Sequence, residues 1–80
     1  MNTTLKIYVR TGCSGCAEAK VTADHIEKTF PHVTVEVVDI DNPNSDIPET
    51  VFATPTYVLN NRVVSLGNPH ISDIETWLSE

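Results

Sequence analysis

Leu5, Ile7 and Val9 alternate with Lys6, Tyr8 and Arg10, the period-two pattern of a strand over about residues 4–10. Arg10-Thr11-Gly12 follows as a connection, with Gly12 free to take a turn conformation. The period then changes. Cys16, Ala19, Ala23, Ile26 and Phe30 recur at steps of three and four, which is one face of a helix running from about Cys13 to Thr29. Pro31 helps to end it. Val33, Val35, Val37, Val38 and Ile40 predict a second strand over about residues 33–39. Its near-continuous apolar run reads as a strand covered on both faces, as in a sheet with helices on either side. Strand, helix, strand in this order is a βαβ unit, so the two strands are expected to be parallel.

Asp41-Asn42-Pro43-Asn44-Ser45 is a turn cluster. Ile47 and Val51 stand one helical turn apart beyond it, with Pro48 in a tolerated early position, and predict a short helix over about residues 45–52. Thr56-Tyr57-Val58-Leu59 and Arg62-Val63-Val64-Ser65-Leu66 read as two strands joined by Asn60-Asn61. Asparagine tolerates positive φ, so a two-residue hairpin suits that junction. Gly67-Asn68-Pro69 turns the chain. Ser72-x-x-Glu75 forms a capping box for a last helix of about residues 72–79, with Ile74, Trp77 and Leu78 inward and Ile71 as a staple. The order is βαβαββα in one domain, residues 1–80, with no internal repeat, low-complexity tract or linker.

Composition narrows the function more than the fold. Eighty residues lie near the lower limit for a self-sufficient core. The net charge of −6 argues against a nucleic-acid partner, which calls for a basic stripe. No apolar run approaches the roughly 20 residues that span a bilayer, so no membrane role is expected. Met1-Asn2-Thr3-Thr4-Leu5 lacks a basic region followed by an apolar one, so no signal peptide is expected. A small secreted scaffold would carry several disulfides, and two cysteines can make only one. A reducing compartment, the cytosol, is the expected location, and a monomer the expected state.

The chemistry lies in those two residues, Cys13 and Cys16, spaced as Cys-Ser-Gly-Cys at a strand-to-helix turn. The spacing suits a reversible dithiol, a very short structural staple, or half of a metal site. A zinc site would need two more ligands from His25, His32 and His70, and none of these forms a His-x(3–5)-His pair. At a helix N-terminus, free backbone N–H groups and the positive end of the dipole favour the Cys13 thiolate, and Arg10 adds a positive charge nearby. Cys16 begins the buried stripe. An exposed attacking sulfur is thereby separated from a shielded resolving one.

Thr54-Pro55 is the second feature, read on its own as a proline that starts a strand. Taken with the dithiol, it makes the whole chain resemble the thioredoxin–glutaredoxin superfamily. The matching residues are Cys13-Ser14-Gly15-Cys16 after the first strand, Ala53-Thr54-Pro55-Thr56 before the hairpin, and Gly67 after the fourth strand. The resemblance implies a minimal α/β thioredoxin-like fold with a four-stranded mixed sheet and helices on both faces. It implies a cis proline beside the dithiol, and a residue before it, Thr54, whose backbone hydrogen-bonds substrate as an added strand. Cys13 and Cys16 would then be catalytic, and Thr54, Pro55 and Arg10 would contact substrate.

Ile7-Tyr8-Val9-Arg10-Thr11-Gly12-Cys13 is glutaredoxin-like, with Arg10 where a glutathione-contacting lysine often lies; Thr54 to Leu59, Arg62-Val63-Val64 and Gly67 are more thioredoxin-like. Ile7 stands where thioredoxins place a buried aspartate, Gly12 where they place a tryptophan, and Asn68 where glutaredoxins place a second glycine. The expected activity is thiol–disulfide exchange with disulfide-containing protein substrates, recharged by an upstream reductase or by glutathione. Glutathione-dependent reduction of mixed disulfides and metal or iron–sulfur delivery through the two thiolates are the alternatives. No tightly bound cofactor is expected, with glutathione a candidate co-substrate.

Overall fold

The computed structural model describes residues 3–78. Four strands and two helices follow in the order β1 (Thr3–Val9), α1 (Cys16–Thr29), β2 (Val33–Asp39), β3 (Thr56–Leu59), β4 (Arg62–Leu66) and α2 (Ile71–Leu78). The sheet order is β2-β1-β3-β4. β1 pairs parallel with β2, placing Leu5 beside Val35 and Ile7 beside Val37, and antiparallel with β3, placing Ile7 opposite Tyr57. The mixed four-stranded sheet expected from the sequence is therefore present. The β3–β4 hairpin closes through Asn60 (φ 49°) and Asn61 (φ 70°), both in the left-handed region that asparagine tolerates. Val58 pairs with Val63 and Tyr57 with Ser65, so Val64 is the extra residue of a bulge.

The pleat of β1 divides the core in two. Leu5, Ile7 and Val9 face a layer built from Cys16, Ala19, Ala23 and Ile26 of α1, Tyr57 of β3, and Ile74 and Leu78 of α2. Tyr8 points the other way and packs with Val58 and Val51, bordered by Val38, Ile40, Ile47 and Val63. Both helices thus contribute to the same layer. The expectation of helices on both faces is corrected: the second face is capped by the irregular chain between β2 and β3.

That correction has a local cause. The helix expected over residues 45–52 does not form. Asp39 Oδ1 accepts from the Asp41 amide, Asn42 Oδ1 from the Asn44 amide, and the Ser45 hydroxyl donates to the Asp39 carbonyl. These local bonds fix the turns that lead into the segment. Pro48 then disfavours helical geometry at Ile47, and the Val51 amide closes a turn onto the Pro48 carbonyl. Ile47 and Val51 still reach the core, through turns rather than one helix face.

Further expectations shift. β2 is an edge strand and Val37 remains 43% exposed; the strand covered on both faces is the central β1, where Ile7, Tyr8 and Val9 are all buried. α1 begins at Cys16, with Gly15 as its N-cap, so Cys13 precedes the helix. α2 begins at Ile71, and the amides of Asp73 and Ile74 both donate to the His70 carbonyl. Ser72 therefore lies inside the first turn and the capping box is not used. Ile71 stays exposed, and Trp77 is half-buried at the edge of the core rather than fully inward. Ser79, at the end of the expected last helix, and Met1 and Asn2, used in the signal-peptide reading, lie outside the described residues.

Candidate active site

β1 ends at Val9 and delivers the chain to a tight loop in which Gly12 has φ +83°. Only glycine takes that conformation without cost. Beyond it, the Cys16 amide donates to the Cys13 carbonyl at 3.3 Å, closing a turn around Ser14-Gly15. Cys13 and Cys16 are joined as a disulfide, with Cα atoms 5.3 Å apart. Their environments differ. Cys16 is 3% exposed within the helix-side core, whereas Cys13 is half-buried at its margin. Cys16 heads the buried stripe of α1 that continues through Ala19, Ala23 and Ile26, in the same core layer as Leu5, Ile7 and Val9 of β1.

The Thr54–Pro55 peptide bond is cis, as the resemblance implied. The loop is tied at both ends: the Thr56 hydroxyl donates to the Ala53 carbonyl at 2.6 Å, and the Gly67 amide donates to the Pro55 carbonyl at 2.7 Å. Pro55 is buried against the dithiol turn. A Cβ placed on Gly15 would lie 3.3 Å from Pro55 Cδ and 3.8 Å from Pro55 Cγ. The fold therefore brings Cys13, Cys16 and Pro55 together, with Thr54 half-exposed one residue before the proline. Among the described residues, neither the N–H nor the C=O of Thr54 takes part in a hydrogen bond.

Arg10 belongs less clearly with this group. Its guanidinium lies 3.6 Å from the Asp41 carboxylate, with both side chains about half exposed. It is directed at the chain leaving β2. The histidines weighed as zinc ligands are also dispersed: His25 contacts the Thr29 hydroxyl on α1, and His32 stacks edge-on with Phe30. Among the described residues no group of three or more His, Cys, Asp or Glu side chains is placed to hold a metal ion.

One contributor was not legible as such in the sequence. Asn68 Nδ2 donates to the Gly15 carbonyl at 2.9 Å, and Asn68 Oδ1 accepts from the Tyr57 hydroxyl at 2.9 Å. The Gly15 carbonyl can only accept, which fixes the orientation of the amide and makes Tyr57 the donor. Tyr57 has no exposed surface, and burial pushes its pKa above the usual tyrosine value. The neighbouring Thr22 side chain opposes that rise, and the Glu18 carboxylate adds to it. The one available signal was indirect: a tyrosine at an inward strand position needs a partner for its hydroxyl. Ile7, in the same layer, is completely buried and carries no charge.

Comparison with known proteins agrees with this geometry. No curated protein sequence matches the chain. Among solved structures, thioredoxin-2 of the malaria parasite, a component of its protein secretion machinery, superposes with a TM-score of 0.78 at 17% identity, covering 95% of this chain and 80% of that one. Fasciola hepatica thioredoxin gives 0.75 at 22%, covering 94% and 77%. Oxidised thioredoxin O2 from Arabidopsis thaliana gives 0.74 at 17%, covering 99% and 76%. At these identities the likeness speaks for the fold. A family profile described as a thioredoxin domain matches residues 3–79. With that match and a Cys-x-x-Cys pair at the turn, the chain belongs to the thioredoxin-domain family and is a thiol–disulfide oxidoreductase.

Proposed function

We propose that the protein reduces disulfides in protein substrates, with Cys13 as the attacking thiolate and Cys16 as the resolving thiol. The observation that carries this reading is the unequal burial of the two sulfurs: Cys16 is 3% exposed and Cys13 sits at the margin of the core. In the reduced protein, the Cys13 thiolate attacks one sulfur of the substrate disulfide and the other sulfur leaves as a thiolate. The product is a mixed disulfide between Cys13 and the substrate. Cys16, deprotonated, then attacks the Cys13 sulfur, releasing the second substrate thiolate and closing the Cys13–Cys16 bond. Two electrons pass from the dithiol to the substrate, and an upstream dithiol or glutathione returns them.

The unbonded backbone of Thr54 supports a protein substrate over a small thiol. An extended peptide laid along Thr54 can make main-chain hydrogen bonds there and present its disulfide to Cys13. The helix N-terminus beyond Cys13 favours its thiolate. Reduction of a disulfide reporter such as insulin, driven by a dithiol reductant, tests the reading. Wild-type protein should accelerate turnover and Cys13→Ser should abolish the acceleration. A Cys13→Ser variant as fast as wild type would overturn it.

A further inference from the structure

We propose that Asn68 is a positioning residue for the dithiol, its side-chain amide, oriented by the buried Tyr57 hydroxyl, clamping the Gly15 carbonyl and holding the Cys13–Cys16 turn in its ring-closed shape. The inference rests on the redox reading above. Its physical basis is a three-part chain that crosses the site. Tyr57 is anchored in β3, opposite Ile7 of the central strand, and its hydroxyl is 2.9 Å from Asn68 Oδ1. Asn68 lies between Gly67 and Pro69, and its Nδ2 is 2.9 Å from the Gly15 carbonyl. Gly15 is both the residue before Cys16 and the N-cap of α1.

Position 15 has no room for anything else on that side. A Cβ there would lie 3.1 Å from Asn68 Nδ2, nearer than it would lie to Pro55. The amide and the proline ring thus grip the turn together. Gly15 has φ −97°, so its identity is set by this close approach and not by a left-handed backbone.

The clamp acts unequally on the two redox forms. In the disulfide the turn is already a closed ring, so the Gly15 carbonyl is presented to Asn68 with no further ordering. In the dithiol the link between the sulfurs is gone, and the turn keeps only the bonds from the Cys16 amide to the Cys13 carbonyl and from the Ala19 amide to the Gly15 carbonyl, so it is less constrained. A bond made more fully in the oxidised form favours the disulfide. For the reaction of the protein dithiol with one glutathione disulfide to give the protein disulfide and two glutathione thiols, the equilibrium constant should then fall when the clamp is removed. The net worth of one hydrogen bond corresponds to about a fivefold change if the bond is lost from the oxidised form alone.

The experiment is a redox titration of wild type, Asn68→Ala, Tyr57→Phe and the double variant in glutathione buffers, with urea stability measured for both redox forms. Asn68→Ala should lower the equilibrium constant by about fivefold, and Tyr57→Phe should lower it by a smaller factor. The double variant should match Asn68→Ala, because Tyr57 acts through the amide. A merely structural Asn68 would weaken oxidised and reduced proteins equally and leave the titration curve in place; that result overturns the proposal. Should Asn68→Ala fold poorly, Tyr57→Phe keeps the ring and carries the test, and an unmoved curve for it also overturns the clamp. A wild-type couple that does not exchange with glutathione or a dithiol at all would remove the redox reading itself, and the clamp with it.

Discussion

Gly15→Ala is the smallest change that reaches the centre of the site. The backbone at residue 15 (φ −97°, ψ −5°) accepts alanine without strain, so the effect comes from the added methyl group alone. That carbon would stand 3.1 Å from Asn68 Nδ2 and 3.3 Å from Pro55 Cδ. Non-bonded carbons settle at about 3.5–4.0 Å, so a neighbour has to move by a few tenths of an ångström. Pro55 is a rigid ring whose carbonyl is held by the Gly67 amide at 2.7 Å. Asn68 is the softer side, and its displacement weakens the 2.9 Å bond to the Gly15 carbonyl. Overpacking of a tight site costs about 1–3 kcal/mol, and a lost hydrogen bond about 1 kcal/mol. Restricting the unfolded chain offsets about 0.4–1 kcal/mol of that. The oxidised Gly15→Ala protein should therefore be less stable than wild type by about 1–3 kcal/mol. Urea denaturation followed by far-ultraviolet circular dichroism measures it. In an Asn68→Ala background the amide contact is gone and the same substitution should cost measurably less. A Gly15→Ala protein as stable as wild type would refute the close approach of Asn68 and Pro55 to the turn.

The buried tyrosine gives a pH signature. Its folded pKa is raised above the unfolded value of 10.0, so its contribution is fully present below about pH 10 and is lost as pH rises through the folded value; oxidised wild type should lose stability there, and Tyr57→Phe should lose less. Arg10→Gln should change stability by less than about 1 kcal/mol, as expected of a half-exposed pair at 3.6 Å. A marked slowing of exchange with oxidised glutathione in that variant would instead give Arg10 a part in substrate contact. Trp77, the only tryptophan, lies beside Leu59, Arg62 and Val64, next to Asn60. The Asn60 side chain holds the Thr4 amide, at the opposite end of β1 from the dithiol. Tryptophan emission should therefore report global unfolding and change little on reduction of the disulfide, which a pair of spectra checks.

The sequence pattern located all four strands to within a residue because each is short, β-branched and bounded by turn residues. It located the chemistry because two lone cysteines at a strand-to-helix turn, with a Thr-Pro forty residues on, have few other uses. Where it misled, tertiary placement was the missing quantity. Val37-Val38 suggested a strand covered on both faces, yet β2 is an edge and Val37 is left partly bare. Ile47 and Val51 have the spacing of one helix face and do share one buried layer, but Pro48 and the turn the Val51 amide closes onto its carbonyl take the chain there without a helix. Ser72-x-x-Glu75 has the composition of a cap, while the helix opens two residues earlier, with the Asp73 and Ile74 amides on the His70 carbonyl. Asn68 marked only a departure from a familiar glycine. Its partners, Tyr57 and Gly15, are 11 and 53 residues away, and only the folded chain brings them to it.

Trapping the mixed disulfide distinguishes the roles of the two sulfurs. Reduced Cys16→Ser protein is mixed with a disulfide-linked peptide, quenched, and mapped by mass spectrometry; Cys13→Ser is treated identically. A mixed disulfide on Cys13 should accumulate in the Cys16→Ser protein, with little or none on the buried Cys16 in its counterpart. Equal or faster trapping on Cys16 would contradict it.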